Sequence, residues 1–275
     1  MSAAGIVPVH GAASTALPVD GFSPITLDEL VREAELLTRV DRKYLLPSAV
    51  ATEAILGLDP RTRVLEIGGA RAFSYDSVYF DTTDHLAYRL TAQRRRRRFK
   101  LRTRSYLDTG GCFLEVKTKD GRGSTVKQRI SCAPSDRARL TEEGRRFAGG
   151  ILRAHGHDPA VLDSLRPAVV SRYRRATLLL PCGSRATLDA DLQWIDGDGR
   201  EIRLDDHVIL ETKSANRASD LDRALWRMGR RPSGISKFGV GTAALHPELP
   251  HNKWARVLNG PFAPETELTT KEGTS

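Results

Sequence analysis

The residues with the clearest chemistry in this chain are cations at alternate positions. From Arg94 to Ile130 (RRRRRFKLRTRSYLDTGGCFLEVKTKDGRGSTVKQRI), a period of two puts Arg98, Lys100, Arg102, Arg104 and Tyr106 on one strand face, opposite Phe99, Leu101 and Thr103. After the turn Asp108-Thr109-Gly110-Gly111, Glu115, Lys117 and Lys119 share a face against Leu114 and Val116. A second turn at 120–124 leads to Lys127 and Arg129 opposite Val126 and Ile130. The pattern returns late in the chain: Tyr173 with Arg175, Arg185 with Thr187 and Asp189, and Glu211 with Lys213. Arginine suits planar, multi-oxygen anions, and lysine supplies mobile point charges, so the chemistry on offer is phosphate binding. One such strand alone reads best as the solvated face of a one-sided sheet. Repeated over many strands, like charges would repel across the ladder, and a polyanion is needed to relieve them.

The elements that must position these residues follow from periodicity. A closed barrel can turn the charged face inward around a ligand, with helices over its apolar outside. Thr26 and Glu29 form a capping pattern ahead of a helical stripe of Leu27, Leu30, Val31, Ala34 and Leu37. Thr38 to Leu46 reads as a strand with Arg39, Asp41 and Lys43 on one face. Pro47 opens a second helix carrying Val50, Ala54, Ile55 and Leu58. Ser74 to Phe80 reads as a strand stopped by the turn Asp81 to Asp84, and Ser135 to His157 as a helical insertion. A further helix follows Asn216, with Leu221, Leu225 and Met228 on one face and Gly229 as its stop. The stretch RRPSGISKFGVGTAAL then reads as a glycine-punctuated loop carrying Lys237.

The chain has 275 residues, 40% of them hydrophobic, enough for one large domain, placed at 23–250 between tails at 1–22 and 251–275. A net charge of +9 and a pI near 9.7 favour anionic partners. The cysteines Cys112, Cys132 and Cys182 are odd in number and lack CxxC spacing, which reads as free thiols in a reducing compartment. The histidines, His155 and His157 included, form no metal set. No window reaches the ~18 apolar residues of a transmembrane helix, and no basic n-region precedes an apolar run at the N-terminus. The run Arg94 to Arg98 reads first as a solvated block, with product or membrane contact as its functional alternative.

Taken together, RVDRKYLL, YDSVYFDTTD, KLRTRSY, FLEVKTK with TVKQR, RYRRAT, RATLD, LETKS and SKFGVG resemble the triphosphate tunnel superfamily, most closely its VTC domain branch, the polyphosphate polymerase domain. The resemblance covers roughly residues 24–248. It implies an α+β fold: an antiparallel eight-stranded tunnel β-barrel surrounded by helices. It also implies roles. Arg39 and Lys43 match the basic pair that opens the tunnel pattern, Arg102 and Arg104 the arginines that hold nucleotide phosphates, and Lys117 and Lys127 the lysines of the next strands. Tyr173 and Arg175 match the Tyr-x-Arg element and Arg185 the next basic position. Glu211 matches the acidic metal ligand, with Lys213 beside it on the same face, and Lys237 the lysine of Ser-Lys-Phe. Glu115 and Asp189 read either as further ligands or as wall ion-pair partners, Asp189 anchoring Arg185. Phe113 falls on the charged face, and alternation alone offers no reason for it.

The implied activity is transfer of the terminal phosphoryl of a nucleoside triphosphate, ATP being the expected donor, onto a polyphosphate chain, with Mn²⁺ or Mg²⁺ as cofactor. Hydrolytic members of the superfamily open with E-x-E-x-K. Here Arg39 to Lys43 (RVDRK) keeps only Asp41, which favours a polymerase over a triphosphatase or polyphosphatase, the alternative on the same barrel. A non-catalytic polyanion binder is the third reading. The expected partners are a nucleoside triphosphate and polyphosphate, with a membrane-protein partner left open and no specific nucleic acid. The expected location is cytoplasmic, or peripheral at the inner face of the membrane.

Overall fold

A computed structural model describes residues 15–33, 40–119, 125–215 and 217–263. In chain order, β1 (Ser23–Ile25), α1 (Leu27–Glu33), β2 (Val40–Pro47), α2 (Ser48–Leu56), β3 (Arg63–Leu65) and β4 (Phe73–Asp81) form the first half of the fold. Next come α3 (Leu86–Ala92), β5 (Arg98–Tyr106), β6 (Gly111–Lys119), β7 (Thr125–Ser131) and α4 (Glu142–Ala154). Then follow β8 (Arg166–Leu179), β9 (Arg185–Asp196), β10 (Glu201–Leu204), β11 (His207–Ser214), α5 (Asp220–Arg227), α6 (Lys237–Leu245) and α7 (Ala255–Leu258).

The expected α+β fold with an antiparallel tunnel sheet is what the chain adopts. The sheet runs β2-β11-β9-β8-β4-β5-β6-β7, eight strands, with β1, β3 and β10 attached off this path. Every neighbouring pair on the path is antiparallel. The two end strands, β2 and β7, both line one cavity, so the sheet is rolled into a tunnel. Among the described residues no ladder joins β2 to β7, so the wall is open along that seam rather than closed as a barrel.

Alternation does the sorting. Along β5, Phe99, Leu101, Thr103 and Ser105 are buried, while the even-numbered residues from Arg98 to Tyr106 are half-buried on the other face. The buried outer face packs under helices in two apolar clusters. One gathers Leu101, Leu114 and Val116 with Tyr88 of α3, Leu152 of α4 and Phe238 of α6. The other gathers Leu46, Leu188 and Leu210 with Ile55 of α2 and Leu225 of α5. Burial of this kind contributes about 25 cal/mol per Å² of apolar surface, which holds the cationic face inward against its own repulsion.

Helix ends follow their sequence signals. Thr26 and Glu29 cap α1 reciprocally, with Thr26 N donating to Glu29 Oε2 at 3.0 Å and Glu29 N to Thr26 Oγ1 at 3.3 Å. Ser219 and Asp222 do the same for α5. Ala34, Leu37, Thr38, Arg39, Asn216 and the turn at 120–124 lie outside the described residues. The helical insertion expected at Ser135 to His157 is α4, Glu142–Ala154, capped by Thr141.

Two elements differ from the sequence reading. The turn at Asp81 leads directly into α3, which periodicity did not reveal. Asp81 is fully buried and accepts from the amides of Thr82, Ala87 and Tyr88 at 2.8, 2.7 and 2.9 Å. Burial pushes its carboxyl up to about 6 despite those amides. The glycine-rich stretch carrying Lys237 is the helix α6, not a loop. Its glycines answer to packing: a Cβ at Gly239 would run into the Trp254 indole, and one at Gly241 into Trp194.

The packed unit also reaches past both expected ends. Val19 and Phe22 are buried, as is Trp254 in the turn before α7. The three cysteines are free; Cys112 and Cys132 bring their sulfurs to 2.8 Å across the end of the β6–β7 ladder. Among the described residues no helix is long and apolar enough to cross a membrane.

Candidate functional site

The tunnel encloses a cavity of about 730 Å³ whose wall draws side chains from β2, β4, β5, β6, β7, β8, β11 and the start of α6. Nine of the residues singled out from sequence form the three ion-paired carboxylate clusters that organise the wall.

The first cluster centres on Glu115, 3% exposed on β6. Register sets it opposite Arg102 on β5 and Arg129 on β7. Arg102 reaches it with Nη2 at 2.6 Å and Nε at 2.8 Å, and Lys127 Nζ meets its other oxygen at 2.7 Å. Burial alone would raise the Glu115 pKa, but Arg102, Arg104 and Lys127 hold it well below the carboxylate range. Arg102 also donates to the Tyr79 hydroxyl at 2.8 Å. Of the two sequence readings for Glu115, this geometry is that of the ion-pair partner.

The second cluster centres on Asp189 of β9, whose side chain is 1% exposed. Arg175 of β8 stands directly opposite and clasps it with two bonds, Nε to Oδ1 at 2.5 Å and Nη2 to Oδ2 at 2.8 Å. Lys237 Nζ pairs with Oδ2. Burial tends to raise this carboxyl too, and the two cations bring it down to about 2. The expected pairing of Asp189 with Arg185 is therefore corrected: the register places Arg175 across from Asp189 and Lys213 across from Arg185. Arg185 lies outside the cavity lining.

The third cluster is Glu211 of β11, with Lys43 of β2 opposite at 2.8 Å and Lys213 two residues on at 3.7 Å. Burial and then the two lysines act against each other on Glu211, and the lysines win, holding it well below its ordinary range. Burial pushes Lys213 and Lys127 down to about 8, against the pull of their carboxylates.

Lys237 is positioned by α6. Ser236 caps the helix by accepting from Gly239 N at 3.1 Å, and Trp194 Nε1 donates to the Lys237 carbonyl at 2.9 Å. The helix N-terminus thereby faces the cavity beside its lysine, and its free amides carry partial positive charge.

Sequence reasoning named Tyr173, which lines the cavity with Tyr79 and Phe238, but missed the aromatic cluster behind it. Tyr75 stacks on Tyr173 with centroids 5.2 Å apart and planes 4° from parallel, and Tyr106 and Phe113 extend the group. Arg175 lies over both tyrosine rings, and Lys237 Nζ sits 4.1 Å from the Tyr173 centroid. Phe113 now has a physical role on the charged face: Arg129 covers its ring at 4.6 Å. Arg104 stacks over Tyr75 at 5.7 Å.

Lys100 was on the charged face by alternation but was not among the candidate ligands. Its Nζ reaches Ser236 Oγ at 3.1 Å and lies 5.5 Å from the Phe238 ring. Lys117 stands opposite both Lys100 and Lys127. Arg39 lies outside the described residues. Arg94 to Arg97 are exposed and precede β5, whereas Arg98 begins it, as the alternation phase requires.

Among the described residues no group of three or more His, Cys, Asp or Glu side chains forms a metal cage. Glu211 lines the cavity together with Asp41 of the neighbouring strand β2, and a carboxylate so placed fits a hard divalent cation that takes its other oxygens from phosphate and water.

No curated protein sequence matches the chain. Among solved structures, a Hippeastrum protein named for adenylyl cyclase and showing a dominant triphosphatase activity is similar at 17% identity, over 75% of this chain and 96% of that one, with a TM-score of 0.44. A Vibrio parahaemolyticus protein named as a candidate adenylate cyclase is similar at 13% identity, over 73% and 95% of the two chains, with a TM-score of 0.40. A Pyrococcus horikoshii protein is similar at 11% identity, over 74% and 97%, also at 0.40. In sequence, residues 38–246 match the VTC domain, and that stretch takes in every cavity-lining residue. The chain therefore belongs to the VTC domain family.

Proposed function

We propose that this protein is a polyphosphate polymerase that moves the terminal phosphoryl of a nucleoside triphosphate, ATP being the expected donor, onto a polyphosphate chain inside the tunnel. The observation that carries the reading is the wall itself, where lysines and arginines outnumber three carboxylate clusters already committed to ion pairs. Membership of the VTC domain family supports triphosphate chemistry. A bound triphosphate brings about four negative charges, and in-line phosphoryl transfer asks mainly for positioning and charge neutralisation.

In this reading Arg102, Arg104, Lys117 and Lys127 grip the triphosphate. Lys237 and Arg175 face the reacting phosphates, and Lys43, Lys213, Tyr173 and Arg185 hold the chain or its approach. A divalent metal, Mn²⁺ or Mg²⁺, held by Glu211 and phosphate oxygens, supplies further charge neutralisation. A hydrolase on the same wall would need a group to activate water. Asp189 and Glu115 are tied to two cations each, which leaves them poor bases; Asp41, which also lines the cavity, is the carboxylate left to a hydrolase.

The test is turnover of ATP with Mn²⁺ or Mg²⁺ by the native chain and by Glu211→Gln. The variant keeps size and removes charge, so it should fold and lose metal-dependent turnover. Full activity at both limiting and saturating metal would remove Glu211 from the metal site.

Triphosphate affinity should also depend on pH. Lys127 and Lys213 sit near 8 in the free protein, and a bound polyanion favours their charged forms. Affinity should therefore hold up to about pH 8 and fall above it, by up to about tenfold per pH unit for each lysine involved. Binding at pH 8 should take up protons, read from calorimetry in buffers of different ionisation enthalpy. An affinity that stays flat from pH 7 to well above 9 would contradict the lysines' role, on the same linkage.

A further inference from the structure

The cationic face of the sheet does not stop at the triphosphate grip. On the two rungs nearest the start of β5, like charges stand directly opposite: Lys100 faces Lys117, and Arg98 faces Lys119. Such pairs destabilise a bare ladder. The turn before α7 brings a further cation to the same place, Lys253, whose Nζ donates to the Thr91 carbonyl at 3.1 Å and lies 4.9 Å from the Trp254 ring. Residue 253 stands beyond the stretch that matches the family, 38–246, so this cation is a feature of this chain's own C-terminal segment.

The contrast with the rest of the wall is one of pairing. Arg102, Lys127, Arg175, Lys237, Lys43 and Lys213 all have carboxylate partners. Among the described residues, Arg98, Lys100, Lys119 and Lys253 form no ion pair with a carboxylate. Arg98 bonds instead to the Arg95 carbonyl at 2.6 Å, and Lys100 to Ser236. Burial, followed by Arg98, Arg94 and Lys119, presses Lys253 down to about 8, which marks a group whose charge lacks compensation. Four cations gathered without a carboxylate are costly in the free protein and are relieved by an anion that spans them.

We propose that the charged face at the start of β5, formed by Arg98, Lys119 and Lys253 beside the cavity-lining Lys100, is a second anion subsite that holds an inorganic polyphosphate chain beyond the phosphates gripped inside. The inference rests on the tunnel being a triphosphate site. A repeating, closely spaced phosphate chain fits cations on successive rungs, about 7 Å apart along a strand. Single-stranded nucleic acid is the less suited polyanion, because it draws on aromatic platforms for its bases, and the rings against which Lys100 and Lys253 lie, those of Phe238 and Trp254, are buried.

The test compares tripolyphosphate with long-chain polyphosphate as ligands of the full chain, by calorimetry, in the native protein and in a Lys119→Gln/Lys253→Gln variant. The native protein should bind the long chain more tightly. In the variant, long-chain affinity should drop by about tenfold or more, on the scale of losing charge-assisted contacts, while tripolyphosphate affinity stays within about twofold. The salt dependence of long-chain binding should flatten as well. Lys119→Glu serves as a second variant, because it gives Arg98 an ion-pair partner and so preserves the fold; it should weaken the long chain further.

Equal losses for both ligands, or no loss for the long chain, would overturn the subsite and leave the tunnel reading standing. Single-stranded DNA bound as tightly as long-chain polyphosphate, and lost in the same variants, would overturn it in favour of a nucleic-acid surface. Failure of the native protein to bind tripolyphosphate at all would instead defeat the tunnel reading on which the subsite rests.

Discussion

Asp189→Asn should destabilise the protein by about 3–5 kcal/mol, the cost of leaving buried cations without their carboxylate. Asp189 is the shared partner of Arg175 and Lys237, whose side chains are only 13% and 10% exposed. Removing its charge strands both at once, close to each other and to two tyrosine rings. For a domain of this size the loss corresponds to a drop of roughly 10 °C in melting temperature. Two controls identify the cause. Tripolyphosphate should stabilise the variant more than it stabilises the native protein, because phosphates replace the missing charge. Adding Lys237→Met should recover part of the stability, since one stranded cation is removed. An Asp189→Asn protein that melts with the native one would mean that this carboxylate does not hold the wall together.

The second large effect is on turnover. Arg102→Ala and Lys237→Ala should each lower ATP turnover by about two to three orders of magnitude, the scale of one preorganised electrostatic contact. Both variants should fold. Without Arg102, Glu115 keeps Lys127; without Lys237, Asp189 keeps its two bonds from Arg175. Neutralising Arg94 to Arg97 together should leave turnover nearly intact, because these residues are exposed and lie ahead of β5. Kinetics of the three proteins side by side make the comparison. A loss in the arginine-run variant as deep as that in Lys237→Ala would show that the face assigned to the tunnel is not the one that reacts.

Much of this site is legible in the sequence, for a simple physical reason. A strand face is fixed by a period of two, so Arg98 to Arg104, Glu115 to Lys119 and Glu211 to Lys213 sort themselves without knowledge of the fold. Hidden from sequence were the facts that depend on register between distant strands. Arg175 meets Asp189 only because β8 pairs with β9 through a bulge between Arg172 and Arg174, and no local pattern announces a bulge. The pairing of Asp189 with Arg185 was the natural local guess, and the ladder overrules it.

The aromatic cluster around Tyr173 was hidden for a similar reason. Tyr75, Tyr106, Phe113 and Tyr173 come from four neighbouring strands and meet through the register of their ladders. Two helices were hidden differently. α3 is anchored by a buried carboxylate, Asp81, whose three amide bonds leave no periodic signature. α6 carries glycines that sequence habit assigns to loops, while here Trp194 and Trp254 occupy the space a side chain would need. Lys100 shows the limit of arguing by resemblance: alternation placed it on the tunnel face, yet the family pattern names only the two arginines after it.

The central claim, phosphoryl transfer to a growing chain, is tested most directly by phosphorus NMR of the purified protein incubated with ATP and Mn²⁺ or Mg²⁺. The account predicts an internal-phosphate signal that grows with time together with ADP, is absent without divalent metal, and is absent in Glu211→Gln. Orthophosphate accumulating with no internal-phosphate signal would contradict it and make the protein a triphosphatase built on the same tunnel.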